Sequence, residues 1–287
     1  MNTTRNSTNQ SRAGFTLVEL LVTLATLAVL AALVLPALAG TKPNSQLFQC
    51  LNNQKQLATA WLMYAPDNDG NVVGFNTKFN WEWRIGAQAA GALTTVVTAT
   101  PPSGLSGEAL FDWYIQEGYR EGAIYKYAPN PAIIHCPGDK RKGSAFYYDS
   151  YSGVEGLNGG NYTAGVGNST TVHNATPILK ASGVKHPSGR FLWIEENDVR
   201  GDNIASWWFD PGVPYGSAPR WVDCPAVYHG TEATFSFADG HCASRQWSSA
   251  ANTIQIAKAG TSSPSGIPSL NSDLTFIGTG YPCQENP

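Results

Sequence analysis

The stretch Gly14-Phe15-Thr16-Leu17-Val18-Glu19, with the apolar run that follows it to Ala39, constrains this chain more than any other feature. From Phe15 to Ala39 a single ionisable side chain, Glu19, stands among 25 residues. As a helix this segment spans roughly 37 Å, more than the roughly 30 Å hydrocarbon core of a bilayer. The sequence therefore predicts a transmembrane helix over 15–39, preceded by a polar leader over 1–14 that carries Arg5 and Arg12 and no acid. That bias predicts an N-terminus that stays cytoplasmic while the rest crosses. Leu38-Ala39-Gly40 imitates the small-residue site of a secretory signal, but Glu19 argues against a discarded signal. A carboxylate inside an apolar span costs about 2.5 to 3.5 kcal/mol on insertion scales, and a plain signal or anchor has no use for one.

The six residues from Gly14 to Glu19 resemble the cleavage and methylation motif of type IV prepilins and type II secretion pseudopilins. The resemblance implies that a prepilin peptidase cuts after Gly14 and methylates the new N-terminal Phe15. It also implies a single-pass protein of the inner membrane with its head in the periplasm, whose helix later joins a pseudopilus or cell-surface filament of like or related pilin-like subunits. In that family the fifth mature residue, Glu19 here, pairs with the N-terminal amine of a neighbouring subunit, which gives an otherwise costly carboxylate its partner. Pro36 falls where family members often carry a helix-loosening proline.

A second helical pattern follows over 44–65. Leu47, Cys50, Leu51, Leu57, Ala58, Trp61, Leu62 and Ala65 recur at spacings of three and four, the stripe of an amphipathic helix facing a core. Gly40-Thr41-Lys42-Pro43 interrupts the pattern between the two halves and leaves their continuity open. The remainder, 67–287, is expected to be one globular head. Charged residues make up 14% and aromatic residues 11%, with 29 glycines and 18 prolines, which indicates a loop-rich folded domain rather than disorder. The net charge of −3 comes without any basic stripe, so nucleic acid is excluded as a partner. The fold class read from these patterns is α+β: a long N-terminal helix packed on an antiparallel β-sheet head with large loops.

Within the head, Asp67, Asp69 and Asn71 open like a calcium loop but lack the later ligands, so an Asx-rich turn competes with a calcium site, and no other cofactor is expected. Trp81 and Trp83 alternate in a short strand or turn, residues 86–107 read as an exposed connection, and 107–127 as one or two short helices. Ile133-Ile134-His135-Cys136 reads as a short buried strand. The tyrosines of 142–176 suit either a sugar-binding surface or rings that cover the core. Arg190 to Glu196 is the strongest buried strand; Glu195, Glu196 and Asp198 at its end could form a catalytic or metal pair, but surface charge is the simpler expectation. The Trp207-Trp208-Phe209 cluster reads as packing.

Tyr228 to Trp247 reads as a hairpin turning at Asp239-Gly240 with Phe235 and Phe237 inward. His229, nine residues, then Asp239-Gly240 is similar to the processing-associated domain of large prepilin-like proteins known from Planctomycetes and Verrucomicrobia. His229, Asp239 and His241 could together hold a metal, or serve the turn and nearby backbone. Five cysteines, Cys50, Cys136, Cys224, Cys242 and Cys283, include no CxxC pair and suggest one or two disulfides of open connectivity in an exported head. The same large pilin-like proteins pair a helix Cys followed by Asn-Asn with a later Cys-Pro. That resemblance implies a disulfide between Cys50 and Cys136, against the alternative of two separate thiols. The segment after Trp247 is expected to be a closing strand or extended tail, with Cys283 pinned to Cys242 or Cys224.

No nucleophile elbow, zinc-protease helix motif or phosphate loop is present, so the expected function is structural and not enzymatic. A binding subunit recognising polysaccharide or a secreted substrate is the first alternative, and a tethered hydrolase using His229, Asp239 and His241 the second.

Overall fold

The structure, a computed structural model, describes residues 16–39, 42–75, 82–85, 97–142, 149–158, 177–197, 205–210, 220–248, 253–260 and 272–283. The chain divides into two compact units, Met1–Asn44 and Ser45–Pro287.

In the first unit, α1 spans Leu17–Ala39. The hydroxyls of Thr23 and Thr26 donate to the carbonyls of Leu20 and Thr23, so the polar groups of the helix are satisfied internally. Its leucines and valines from Leu17 to Leu30 are exposed. Among the described residues no helix is long and apolar enough to cross a membrane. The backbone of α1 stays helical through Pro36, while Gly40 and Thr41, where continuity was in question, lie outside the described residues.

Helix α2 spans Lys42–Asp67 and admits Pro43 in its first turn, where no backbone donor is lost. Cys50, Leu57, Ala58, Trp61 and Ala65 are buried as the periodicity predicts, Leu47 and Leu51 are half-buried, and Leu62 remains 41% exposed. Helix α3 covers Gly107–Arg120. Seven strands follow: β1 (Tyr151–Val154), β2 (Phe191–Glu195), β3 (Ser206–Trp207), β4 (Phe209–Asp210), β5 (Arg220–Trp221), β6 (Glu232–Phe237) and β7 (Cys242–Gln246). Helices α4 (Thr253–Ala259) and α5 (Ser272–Gly280) complete the described elements.

The main sheet has the order β3-β1-β2-β6-β7, and β4 pairs with β5 separately. It is mixed, which corrects the antiparallel expectation: β1 and β3 run parallel, with Gly153 opposite Ser206. The chain reverses after β2 but finds that strand's remaining edge taken by β6. Strand β3 therefore docks outside β1, where a strand antiparallel to β2 is parallel to β1. The β6–β7 hairpin forms as expected, pairing Glu232 opposite Gln246 through Ser236 opposite Cys242. Gly240 closes the turn at φ +86°, a conformation that favours glycine.

Strand β2 is buried on both faces. On one side Trp193 packs with Phe75 and Trp83 over the stripe of α2, and the side chain of Gln54 donates to Thr234 Oγ1 at 2.7 Å. On the other side Phe191, Ile194 and Phe235 meet Trp207, Phe209, Trp221, Trp247 and the helices α4 and α5. The Trp207–Phe209 stack confirms that this cluster is packing, each such ring burying about 150–250 Å².

Three further expectations change. Residues 131–134 form a 3₁₀ turn instead of a strand, because Asn130 caps the amide of Ala132 and Pro131 pre-sets the first helical position. The segment after Trp247 holds α4 and α5 where a strand or tail was expected, and Cys224, Cys242 and Cys283 are thiols. Glu195 and Glu196, expected at the surface, are buried at 0% and 1% exposure. Trp81, Asp198, most of the Tyr-rich 142–176 stretch and residues 86–96 lie outside the described residues; Tyr151 of that stretch is buried in β1.

Candidate functional site

At the start of α1, Thr16 and Glu19 form a reciprocal cap. The amide of Glu19 donates to Thr16 Oγ1 at 3.2 Å, while the amide and hydroxyl of Thr16 both donate to Glu19 Oε2 at 2.8 Å. This is a capping box: Thr at the N-cap and Glu three residues on satisfy two backbone donors that a helix start leaves orphaned. The carboxylate expected to await a distant partner thus has a local one in the single chain. Gly14 and Phe15 lie outside the described residues.

In the second unit the side chains that converge are Cys50, Cys136, Glu195 and His229. Cys50 lies on the buried stripe of α2, and Cys136 follows the 3₁₀ turn at Pro131–Ile134. A disulfide joins them, with Cα atoms 5.4 Å apart and a sequence separation of 86. Glu195 ends β2, and His229 occupies the turn that enters β6. His229 Nε2 lies 3.1 Å from Glu195 Oε1 and 3.3 Å from Cys136 Sγ. The other carboxylate oxygen of Glu195 accepts the amide of Thr234 at 3.0 Å. His229 Nδ1 is buried without a hydrogen-bond partner among the described residues. Every polar contact of this ring is therefore made at one nitrogen, whereas an acid–base relay uses both.

Glycine is required where this centre is tightest. A Cβ on Gly138 would stand 2.8 Å from the carbonyl of Tyr228 and 2.9 Å from His229 Cε1, and the Gly138 amide donates to Cys136 Sγ at 3.3 Å. Beside it, Tyr228 donates to the carbonyl of Glu196 at 2.5 Å, and Ser152 donates to Glu196 Oε2 at 2.5 Å. Burial drives the phenol of Tyr228 well above its ordinary range despite the pull of Arg141, so it stays a neutral donor. Arg141 in turn grips Asp139 with two nitrogens, and Ser150 donates to the same carboxylate at 2.8 Å. The two buried glutamates are thus held by hydrogen bonds from residues distant in sequence.

The grouping of His229 with Asp239 and His241 does not form. Strand β6 lies between them, about 20 Å long at roughly 3.3 Å per residue. Asp239 and His241 pair with each other at 2.6 Å on the exposed hairpin tip, and Phe237 stacks on the His241 ring. Burial is the largest single influence on the Asp239 carboxyl and raises it, but the amide and ring of His241 together outweigh it and hold the group below its usual range. Asp67, Asp69 and Asn71 do not converge either: Asp67 Oδ2 accepts from Tyr127 at 2.7 Å and pairs with Lys126 at 3.5 Å, while Asn71 bridges to Lys180. They make the Asx-rich turn, with Asp69 at φ 54°.

Next to the hairpin tip, burial raises the Cys242 thiol to about 11, with Lys55 opposing and Asp239 reinforcing the shift. Alkylation of Cys242 by iodoacetamide, followed by peptide mass mapping, is expected to run about a hundredfold slower at pH 8 than for an ordinary thiol near 8.5. The rate should climb about tenfold per pH unit toward pH 10. A profile that is flat from pH 8 to 10 would contradict this environment.

Sequence reading missed Thr16, although its spacing to Glu19 is the capping-box signal, and it missed the union of Glu195 with His229, for which no local signal exists. The family model described as the prokaryotic N-terminal methylation motif matches residues 9–35, and this supports a type IV pilin-like protein. No curated protein and no solved structure matches the chain.

Proposed function

We propose that this chain is a pilin-like structural subunit, cleaved between Gly14 and Phe15 by a prepilin peptidase, N-methylated at Phe15, and assembled through α1 into a pseudopilus or type IV pilus-like filament. The observation that carries this reading is the methylation-motif match over 9–35, centred on the one carboxylate of the apolar run. Before assembly the run from Phe15 to Ala39 sits in the inner membrane, where 25 residues suffice to cross. In the filament the same apolar surface packs on helices of like or related subunits, and burial drives the exchange. Glu19 then gives up its contact with Thr16 for the N-terminal amine of a neighbour.

The head is proposed as cargo of the processing-associated type, marked by His229 and Asp239-Gly240, and as non-catalytic. The wide separation of His229 from the Asp239–His241 pair supports this, as does the single-nitrogen contact of the His229 ring. Co-expression with a prepilin peptidase, followed by intact mass and N-terminal sequencing, tests the reading. The expected mature chain begins with methylated Phe15, and Glu19→Ala is expected to be cleaved but to lose filament assembly at least tenfold. A different mature N-terminus, or undiminished assembly of Glu19→Ala, sinks the proposal.

A further inference from the structure

We propose that reduction of the Cys50–Cys136 disulfide converts the buried centre into a binding site for one zinc-class divalent ion, held by both sulfurs, Glu195 Oε1 and His229 Nε2. The four ligand atoms already lie within 4.8 Å of one another. A tetrahedral zinc site, with bonds of about 2.0–2.3 Å, sets ligand separations of roughly 3.3–3.8 Å. His229 Nε2 meets that requirement toward both Glu195 Oε1, at 3.1 Å, and Cys136 Sγ, at 3.3 Å, within a few tenths of an ångström. The two sulfurs must part, which breaking their bond permits, and the remaining separations start at no more than 4.8 Å.

The convergence of an imidazole, a carboxylate and two sulfurs on one point is otherwise hard to account for. The ring directs Nε2 at two of these groups, Glu195 Oε1 and Cys136 Sγ, and leaves Nδ1 to carry the ring proton. Two thiolates with an imidazole select a borderline-soft ion over calcium or magnesium. Thr234 fixes the second oxygen of Glu195 and Gly138 donates to Cys136 Sγ, the kind of outer contacts that orient metal ligands. The four residues come from α2, the segment after the 3₁₀ turn, β2 and the turn before β6. The ion therefore ties α2 to the sheet where the disulfide does.

The chemistry balances. A dithiol reductant gives two electrons and two protons as its own disulfide forms; the Cys50–Cys136 bond breaks to two thiols. Binding of the ion by both sulfurs releases those two protons, and the proton of the His229 ring resides on Nδ1 while Nε2 ligates. Three anionic ligands exceed the charge of the ion by one.

The test uses the full chain in detergent, reduced by excess dithiol and desalted without oxygen, with cobalt(II) as the probe. One equivalent of cobalt is expected to give thiolate charge-transfer and tetrahedral ligand-field bands that zinc abolishes. The oxidised chain is expected to give neither, and His229→Ala to weaken the cobalt affinity at least about tenfold. Absence of the bands in the reduced chain, or their full retention in His229→Ala, overturns the proposal. A second readout covers the case in which reduction loosens the head: one equivalent of zinc is expected to restore the urea midpoint lost on reduction, by preferential binding to the folded chain. No restoration likewise overturns it.

Discussion

Replacing Arg84 by methionine is expected to destabilise the head by about 3 to 5 kcal/mol at neutral pH, because it strands a buried carboxylate. The Arg84 and Asp149 side chains are 1% and 0% exposed and meet at 2.6 Å, with Arg84 also donating to the carbonyl of Ile85. Burial pushes the Asp149 carboxyl above its usual range, and Arg84 and then Arg141 pull it back only in part. A carboxyl raised in the folded state contributes stability that is fully present below the ordinary carboxylate range and is lost as pH rises through its raised value. Without Arg84 that value rises further. The destabilisation should therefore be greatest near pH 7 and shrink as pH falls below the ordinary carboxylate range, where Asp149 is protonated in the folded and the unfolded chain alike. Urea unfolding followed by tryptophan fluorescence reads this cleanly, since all nine tryptophans lie at or beyond Trp61. A loss below about 1 kcal/mol, the value of an exposed pair, would show that the site is hydrated. Arg84→Met combined with Asp149→Leu should recover most of the loss, since a buried pair and an apolar pair of similar volume are close in stability.

The second large effect is expected from Cys50→Ala with Cys136→Ala. Their link closes a loop over a separation of 86 residues, and the chain-entropy account assigns such a loop about 4 to 5 kcal/mol. In metal-free buffer the double variant and the reduced parent should unfold at the same urea midpoint, well below the oxidised parent. Added reductant should leave the double variant unchanged. A midpoint equal to that of the oxidised parent would mean that α2 is held by its apolar stripe and by the hydrogen bonds of Gln46, Asn53, Gln54 and Lys55 without help from the disulfide.

What could be read from the sequence was what local spacing controls. The apolar run with Glu19, the stripe of α2, the strand at Phe191–Glu195 and the hairpin turning on Asp239-Gly240 each declare themselves within one contiguous stretch of sequence. The Cys50–Cys136 link followed only from a resemblance, since five cysteines alone leave the pairing open. What escaped was set by partners far along the chain. Glu195 and Glu196 look like surface charge because their donors, Thr234, Tyr228 and Ser152, lie more than thirty residues away. Strand β3 is parallel because β6, later in sequence, occupies the edge it would have taken. At 131–134 the β-favouring isoleucines mislead, since Asn130 and Pro131 decide the backbone before their side chains can.

The disulfide has a mechanical meaning if α2 is pulled from its N-terminal side. Tension entering at Ser45 passes through Cys50 directly to Cys136, so the chain between them carries none of it. At up to about 3.5 Å per extended residue, that segment is on the order of 300 Å of contour length shielded from the load. It contains the rest of α2, all of α3 and Arg84, though not Asp149 with which Arg84 pairs. An oxidised subunit under load is therefore a shorter and stiffer tether than its residue count implies.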